Sequence, residues 1–286
     1  MKFQLHPSAI NRLSMCGEAF RRSVIERERR PMGVHLHVGT AVHASAGADL
    51  VSKRDTDALL PDAQIPDLAR DAMVHEWDSK GVMLAAEEVL AGPARTKADA
   101  VDKSIRLARL HHRKIAPAVC PTHIEREFVL DLAGYNYQIA GTIDVQEGAE
   151  AIRDTKTTTR SPQETAAWES VQLSAYALAA WKHDGALPRR AVLDYLVDTK
   201  EPKVVQPERQ FPPATEEARV LACFSPLLDR IAVAMRAIEA GVFLPAPADS
   251  WVCSAKYCNY WDDCRFALRP VTIPLIQIAP VIPETA

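Results

Sequence analysis

Residue periodicity changes character at Pro121, and that change limits the folds open to this chain. Upstream the pattern is helical. Ser8 follows Pro7 as a cap for a segment carrying Ile10, Leu13 and Phe20, with Cys16 near one face; a second helix begins around Val38 and carries His43. From about Pro66 to Ala118 helical spacing returns, clearest where Val101, Ile105, Ala108, His112 and Ile115 recur at steps of three and four. Downstream, His123 to Leu132, Tyr135 to Gln146 and Ala151 to Thr157 are β-rich, separated by turn signals at Ala133-Gly134 and Gly148. Ser161-Pro162 then opens a long helix through about His183. Two strands, near Ala191 to Val197 and Val204 to Phe211, precede a helix from about Thr215 to Ala240. Helices, three strands, helix, two strands and helix predict an α/β fold with a mixed β-sheet flanked by helices.

A chain of 286 residues, 48% hydrophobic, has enough apolar material for a large core. It reads as a single unit over 1–286. Residues 1–120 form a mainly helical part with Cys16 and His43, 121–212 a sheet and helix, 213–269 a helix and cysteine-rich segment, and 270–286 an extended tail. No stretch approaches the ~18 consecutive apolar residues of a membrane span, and the first residues lack a long apolar run, so cytoplasmic residence without a membrane partner is expected. The formal net charge of −3 means that any contacts to a polyanion must be local. Arg21, Arg22, Arg27, Arg29 and Arg30 are interleaved with Glu26 and Glu28, a mixture that a solvated helix face explains at least as well as a nucleic-acid track.

Chemistry concentrates in the strands after Pro121. Asp144 lies in Gly141-Thr142-Ile143-Asp144-Val145 and Asp154 in Ile152-Arg153-Asp154-Thr155-Lys156, on either side of Gly148. An odd-numbered turn, such as Gly148 to Glu150, sets Asp144 directly opposite Asp154, with Lys156 two residues on; an even-numbered turn puts the acids on opposite faces. Paired carboxylates suit a hard divalent ion, which polarises phosphate and acidifies water. The acid-x-lysine triplet also occurs at Asp78/Lys80, Asp198/Lys200 and Glu201/Lys203, and Asp194 with Asp198 and Lys200 is the serious rival. Only Asp154 has an acid preceded by a close-approach glycine before it and a helix after it. On that helix Gln172 and Tyr176 are four residues apart and share a face. His43, on residue type alone, fits an ordinary buried histidine.

Six cysteines occur, at 16, 120, 223, 253, 258 and 264. The spacing of Cys253, Cys258 and Cys264 departs from the paired C-x₂-C knuckles of structural zinc. Four thiolates are what a [4Fe–4S] cluster takes, and Cys16 is the natural fourth. Cys120 and Cys223 read as small core residues, and structural Zn²⁺ is the alternative metal.

With these motifs in order, the sequence resembles the RecB-like nucleases of the PD-(D/E)xK superfamily, which includes the AddB nuclease domain, CRISPR-associated exonucleases and many phage exonucleases. Gly39-Thr40-Ala41-Val42-His43 looks like the family's histidine motif, Gly141-Thr142-Ile143-Asp144 its aspartate strand, Asp154-Thr155-Lys156 its acid-x-lysine, and Gln172-Leu173-Ser174-Ala175-Tyr176 its Gln-x-x-x-Tyr helix. The resemblance implies a restriction-endonuclease-like core in which His43, Asp144 and Asp154 hold Mg²⁺ or Mn²⁺. It implies that Lys156 activates water, that Gln172 and Tyr176 steady the site, and that Glu125 occupies a position that is often acidic. One cysteine near the N-terminus and three near the C-terminus match its iron–sulfur members. The implied activity is cleavage of DNA, as an exonuclease on single strands or ends, with a helicase or recombination protein as a partner. A non-cleaving DNA-binding or interaction protein, stapled by iron–sulfur or zinc, is the alternative.

Overall fold

The computed structural model describes residues 3–131, 137–213 and 216–269. A short strand, β1 (Phe3–Leu5), leads into α1 (Pro7–Met15), whose proline sits in the first turn, where its missing N–H costs nothing. Ser8 therefore lies inside the helix and does not cap it. Extended backbone at Cys16 separates α1 from α2 (Gly17–Phe20), which runs into a π-helical turn over Arg21–Ile25. The two-residue strands β2 (Met32–Gly33) and β3 (Val82–Met83) pair in parallel and bracket α3 (Val34–Thr56) and α4 (Ile65–Lys80). The His43 helix thus begins four residues before its expected start. Helices α5 (Ala86–Ala91) and α6 (Pro93–Lys114) complete the helical part.

The main sheet combines β1 with β4 (His123–Asp131), β5 (Tyr137–Glu147), β6 (Ala151–Thr158), β7 (Arg190–Val197), β8 (Lys203–Val205) and β9 (Glu208–Gln210). The meander β4–β5–β6 is antiparallel as its pattern predicts; its first turn, at Ala133-Gly134, lies outside the described residues. β6 and β7 run parallel, so the sheet is mixed, and the crossover between them holds α7 (Ala166–Glu169) and α8 (Val171–Asp184). One continuous helix from Ser161-Pro162 is not formed. Ser170 breaks it, with an extended backbone and a hydroxyl that accepts the Leu173 N–H at 3.1 Å to cap α8. Pro207 likewise interrupts the expected strand from Val204 to Phe211, because proline cannot donate to a ladder, and β8 and β9 pair with β7 separately. In the last helical stretch the break falls at Phe224, and Pro226 opens the first turn of a new helix, giving α9 (Glu217–Cys223) and α10 (Ser225–Glu239). The tail expected over 270–286 lies outside the described residues.

Helices cover both faces of the sheet. Ile139, Ile143, Ile152 and Leu193 pack with Ile10 of α1, Leu178 of α8 and Ile231 of α10. Val145 and Leu196 pack on the other side with Val38 and Val42 of α3, Met73 of α4 and Leu107 of α6. β6 is buried through its first five residues, as a central strand should be, whereas β4 alternates between exposed and buried over its second half.

Candidate active site

The site forms where β5 and β6 part. Their last ladder pair is Val145 with Arg153, and one more step of that register brings Asp144 level with Asp154. Gly148–Glu150 is the odd-numbered turn that this register requires. Across the other edge of β5, Ile124 pairs with Val145 and Arg126 with Ile143, so Glu125 stands level with Asp144 but makes no ladder pair. Glu125 has φ +50°, a left-handed conformation that residues with a Cβ seldom adopt and that functional sites often hold. Side-chain alternation inverts there. Phe128 and Ile143 pack beside α1 and α8, whereas Ile124 and Val145, of the same parity on their strands, pack with the α3 layer. Three carboxylates on adjacent strands therefore meet at a twist that both helical layers can reach.

From α3, His43 Nδ1 lies 3.1 Å from Asp144 Oδ2, which also accepts the Thr155 N–H at 3.3 Å. His43, Glu125 and Asp144 each present a ligating atom, all within 4.8 Å of one another, as a single ion requires. Asp154 is not in that group. It is 0% exposed, and Lys156 Nζ donates to its Oδ1 at 3.0 Å. Its Oδ2, 2.8 Å from the same ammonium, is buried without a hydrogen bond. Three ligating groups, two of them carboxylates, with a buried acid–lysine pair on the neighbouring strand, fit a divalent cation.

Electrostatics follow from that crowding. Burial works to lower the His43 pKa, but the hydrogen bond and charge of Asp144 outweigh it and the result is raised. Glu125 is raised by burial and then by Asp144. Burial raises Asp154 most, with Lys156 opposing and Asp144 reinforcing. For Lys156 desolvation is overcome by Asp154, so the amine stays protonated.

A chain of contacts from α8 fixes Lys156. Its Nζ donates to Gln172 Oε1 at 2.8 Å, and Gln172 Nε2 donates to Tyr176 Oη at 2.6 Å. Burial, then Asp144 and Asp154, raise the Tyr176 phenol, which remains neutral. The Tyr176 ring meets Phe128 edge-on at 5.8 Å. A Cβ at Gly141 would lie 2.9 Å from Phe128 Cζ. The close approach at Gly141 is thus made by the ring that buttresses Tyr176.

The rival acids are engaged elsewhere. Asp194 is buried in a two-pronged pair with Arg153 at 2.7 and 2.8 Å, and Asp198 binds Arg106 and Lys103 at 2.6 and 3.0 Å. Asp144, Glu125, His43 and Lys156 line a cavity of about 1050 Å³. His35, Lys103, Lys256 and Tyr257 line it too and were not singled out from sequence. Lys256 and Tyr257 lie between Cys253 and Cys258, the one signal that pointed their way.

Cys16, Cys253, Cys258 and Cys264 line an adjacent cavity of about 330 Å³, and none forms a disulfide. Gly17 joins the start of α2 to the segment that follows α10. Its N–H donates to Leu244 O at 2.6 Å, where any Cβ would collide with the backbone, and the Ala246 N–H points to Cys16 Sγ at 3.4 Å. Burial, and then neighbouring cysteines, raise the Cys253 thiol; Cys258 is raised first by burial as well. Cys223 is half-buried. Cys120 is exposed, contrary to the expected core position, because it lies in the turn that enters β4. Among the described residues no helix is long and apolar enough to cross a membrane.

The sequence pattern of the PD-(D/E)XK nuclease superfamily matches residues 4–265. Among solved structures, a candidate exonuclease from Eubacterium rectale superposes with a TM-score of 0.58 at 11% identity, covering 94% of this chain and 91% of that one. The protein SSO0001 aligns with a TM-score of 0.38 and 14% identity over 94% of this chain and 89% of its own. No match is found among curated proteins.

Proposed function

Since the chain belongs to the PD-(D/E)XK nuclease superfamily, we propose that it is a Mg²⁺- or Mn²⁺-dependent deoxyribonuclease that degrades single-stranded DNA or DNA ends. The observation that carries this reading is the meeting of ligating atoms of His43, Glu125 and Asp144 within 4.8 Å of one another, with the buried Asp154–Lys156 pair on the neighbouring strand. His43, Asp144 and Asp154, joined by Glu125, would hold the metal. Bound there, a divalent ion polarises the scissile phosphate and acidifies water. Lys156, kept protonated by Asp154, presents a fixed positive charge toward the phosphate and orients the attacking water. Gln172 and Tyr176 hold that ammonium in place. The exonuclease description of the Eubacterium rectale protein supports action from ends.

That Cys16, Cys253, Cys258 and Cys264 line one cavity supports a shared metal centre, read here as a [4Fe–4S] cluster with structural Zn²⁺ as the alternative. A cluster would staple α1 to the C-terminal segment. The activity is tested with 5′- and 3′-labelled oligonucleotides, single- and double-stranded, with Mn²⁺, Mg²⁺ or EDTA. Stepwise products from one end with either metal are expected; intact substrate under every condition would refute the reading.

A further inference from the structure

The structure divides the arginine-rich segment into two classes. Arg21 pairs with Glu18 at 2.8 Å and with Glu26; Arg22 pairs with Glu28 at 2.7 Å and Asp263 at 2.9 Å; Arg30 binds Glu28 at 2.6 Å and Asp263. Arg22 and Arg30 thereby tie this segment to the cysteine-rich one, while Arg21 pairs locally. Arg27 and Arg29 are different: both are exposed, and neither has a hydrogen-bond or ion-pair partner among the described residues. Arg27 has φ +57°, which ends the helical turn. Beyond it Glu28 and Arg30 turn inward to the pairs above, while Arg27 and Arg29 turn to a groove of about 720 Å³. Arg12 of α1, also exposed and unpaired among the described residues, faces the same groove, with Ser8, Ser23 and Gln4. Among the described residues no carboxylate lines it.

Its position links it to the acid site. The catalytic cavity and the cysteine-lined cavity share His35 and Tyr257, and the cysteine-lined cavity and the groove share Ser8 and Arg12. One continuous surface therefore runs from the carboxylates to the three arginines. The three lysines of the catalytic cavity are paired, Lys103 with Asp198, Lys156 with Asp154 and Lys256 with Glu87, so among the described lining residues the unpaired arginines lie in the groove. Guanidinium groups match phosphate oxygens with paired donors, and hydroxyl and amide side chains add neutral ones. We propose that Arg12, Arg27 and Arg29 bind backbone phosphates of a single nucleic-acid strand whose scissile phosphate reaches the acid site. This inference rests on the nuclease reading above and supplies the phosphate track that the net charge of −3 does not advertise.

The test is fluorescence anisotropy of a labelled 20-nucleotide oligodeoxythymidylate in EDTA, from 50 to 300 mM salt. It compares wild-type protein, Arg12→Gln/Arg27→Gln/Arg29→Gln, and the charge-matched control Arg54→Gln/Arg70→Gln/Arg113→Gln, whose arginines pair with Asp55, Asp71 and Asp62. Three lost phosphate contacts should make the slope of log K against log salt shallower by about 2, and weaken binding on the order of 10- to 100-fold at 0.1 M salt. The control should bind as wild type does. Hydrolysis of bis(p-nitrophenyl) phosphate with Mn²⁺, which engages the acid site alone, should be equal in all three proteins, and matching thermal melts report intact folding. Wild-type affinity and slope in the groove variant would overturn the inference, as would an equal loss in the control. Polyglutamate competing as well as the oligonucleotide would also overturn it, assigning the groove to an acidic protein. A wild-type protein that binds the oligonucleotide but hydrolyses neither substrate would sink the nuclease reading and leave the groove standing.

Discussion

Replacing Lys156 with methionine removes the cation that faces a fully buried carboxylate, and the structure sets the size and sign of the consequence. Asp154 is 0% exposed, with Lys156 2.8–3.0 Å away. Breaking a buried ion pair from one side costs about 3–5 kcal/mol. Lys156 is 35% exposed, so water shares its charge and the lower end, about 3 kcal/mol, is expected. The loss depends on pH. Burial already raises the Asp154 pKa, and loss of Lys156 raises it further. A carboxyl with a folded pKa above its unfolded value holds an extra proton in the native state between the two. Stability is then full below the unfolded value, near 4, and falls as pH rises through the folded one, by about 1.4 kcal/mol per pH unit. Urea unfolding in EDTA should therefore find Lys156→Met close to wild type at pH 4 and about 3 kcal/mol weaker at pH 8. Asp154→Asn/Lys156→Met should regain most of that loss. An equal deficit at both pH values, with no rescue by the double substitution, would refute the reasoning.

Asp144→Ala, Asp154→Ala and Lys156→Ala should each reduce cleavage to background, because site residues act as a unit, while Asp198→Ala keeps most activity; gel assays of a labelled oligonucleotide report both. Protein purified without oxygen should be brown and contain iron and sulfide. Cys16→Ser or Cys258→Ser should lose the colour and melt at lower temperature, whereas Cys120→Ser, at an exposed position, keeps it. His111 is 2% exposed, and burial lowers its pKa to about 4. Its neutral form contributes stability that is present above the unfolded value near 6.5 and lost as pH falls toward 4, a total of about 3 kcal/mol. His111→Leu should flatten that acid limb in urea titrations.

The sheet was legible because its strands carry the strongest local signals. The odd turn at Gly148 fixes the Asp144/Asp154 register, and Asp154 lies in a strand segment buried throughout, as a central strand must be. What sequence missed depends on single residues that override periodicity. Ser170 and Pro207 break elements that otherwise read as continuous, and β1, three residues long, is too short to show a period. Glu125 was reached only through the family resemblance, not from its spacing. Its place beside His43 and Asp144 follows from a left-handed backbone that no spacing rule anticipates. The arginine segment was ambiguous for a related reason: alternate residues of one run serve an internal clamp and an open groove, and only the contacts sort them.

The central claim is that Glu125, Asp144 and Asp154, with His43 and Lys156, form one metal-dependent hydrolytic site. The most direct measurement is cleavage of a labelled single-stranded oligonucleotide by metal-stripped protein to which Mn²⁺ is returned, comparing wild type with Asp144→Asn and Asp154→Asn. The account predicts no products before Mn²⁺, rapid cleavage by wild type after it, and none by either variant. Cleavage by either variant at the wild-type rate, or by wild-type protein with all metal removed, would contradict it.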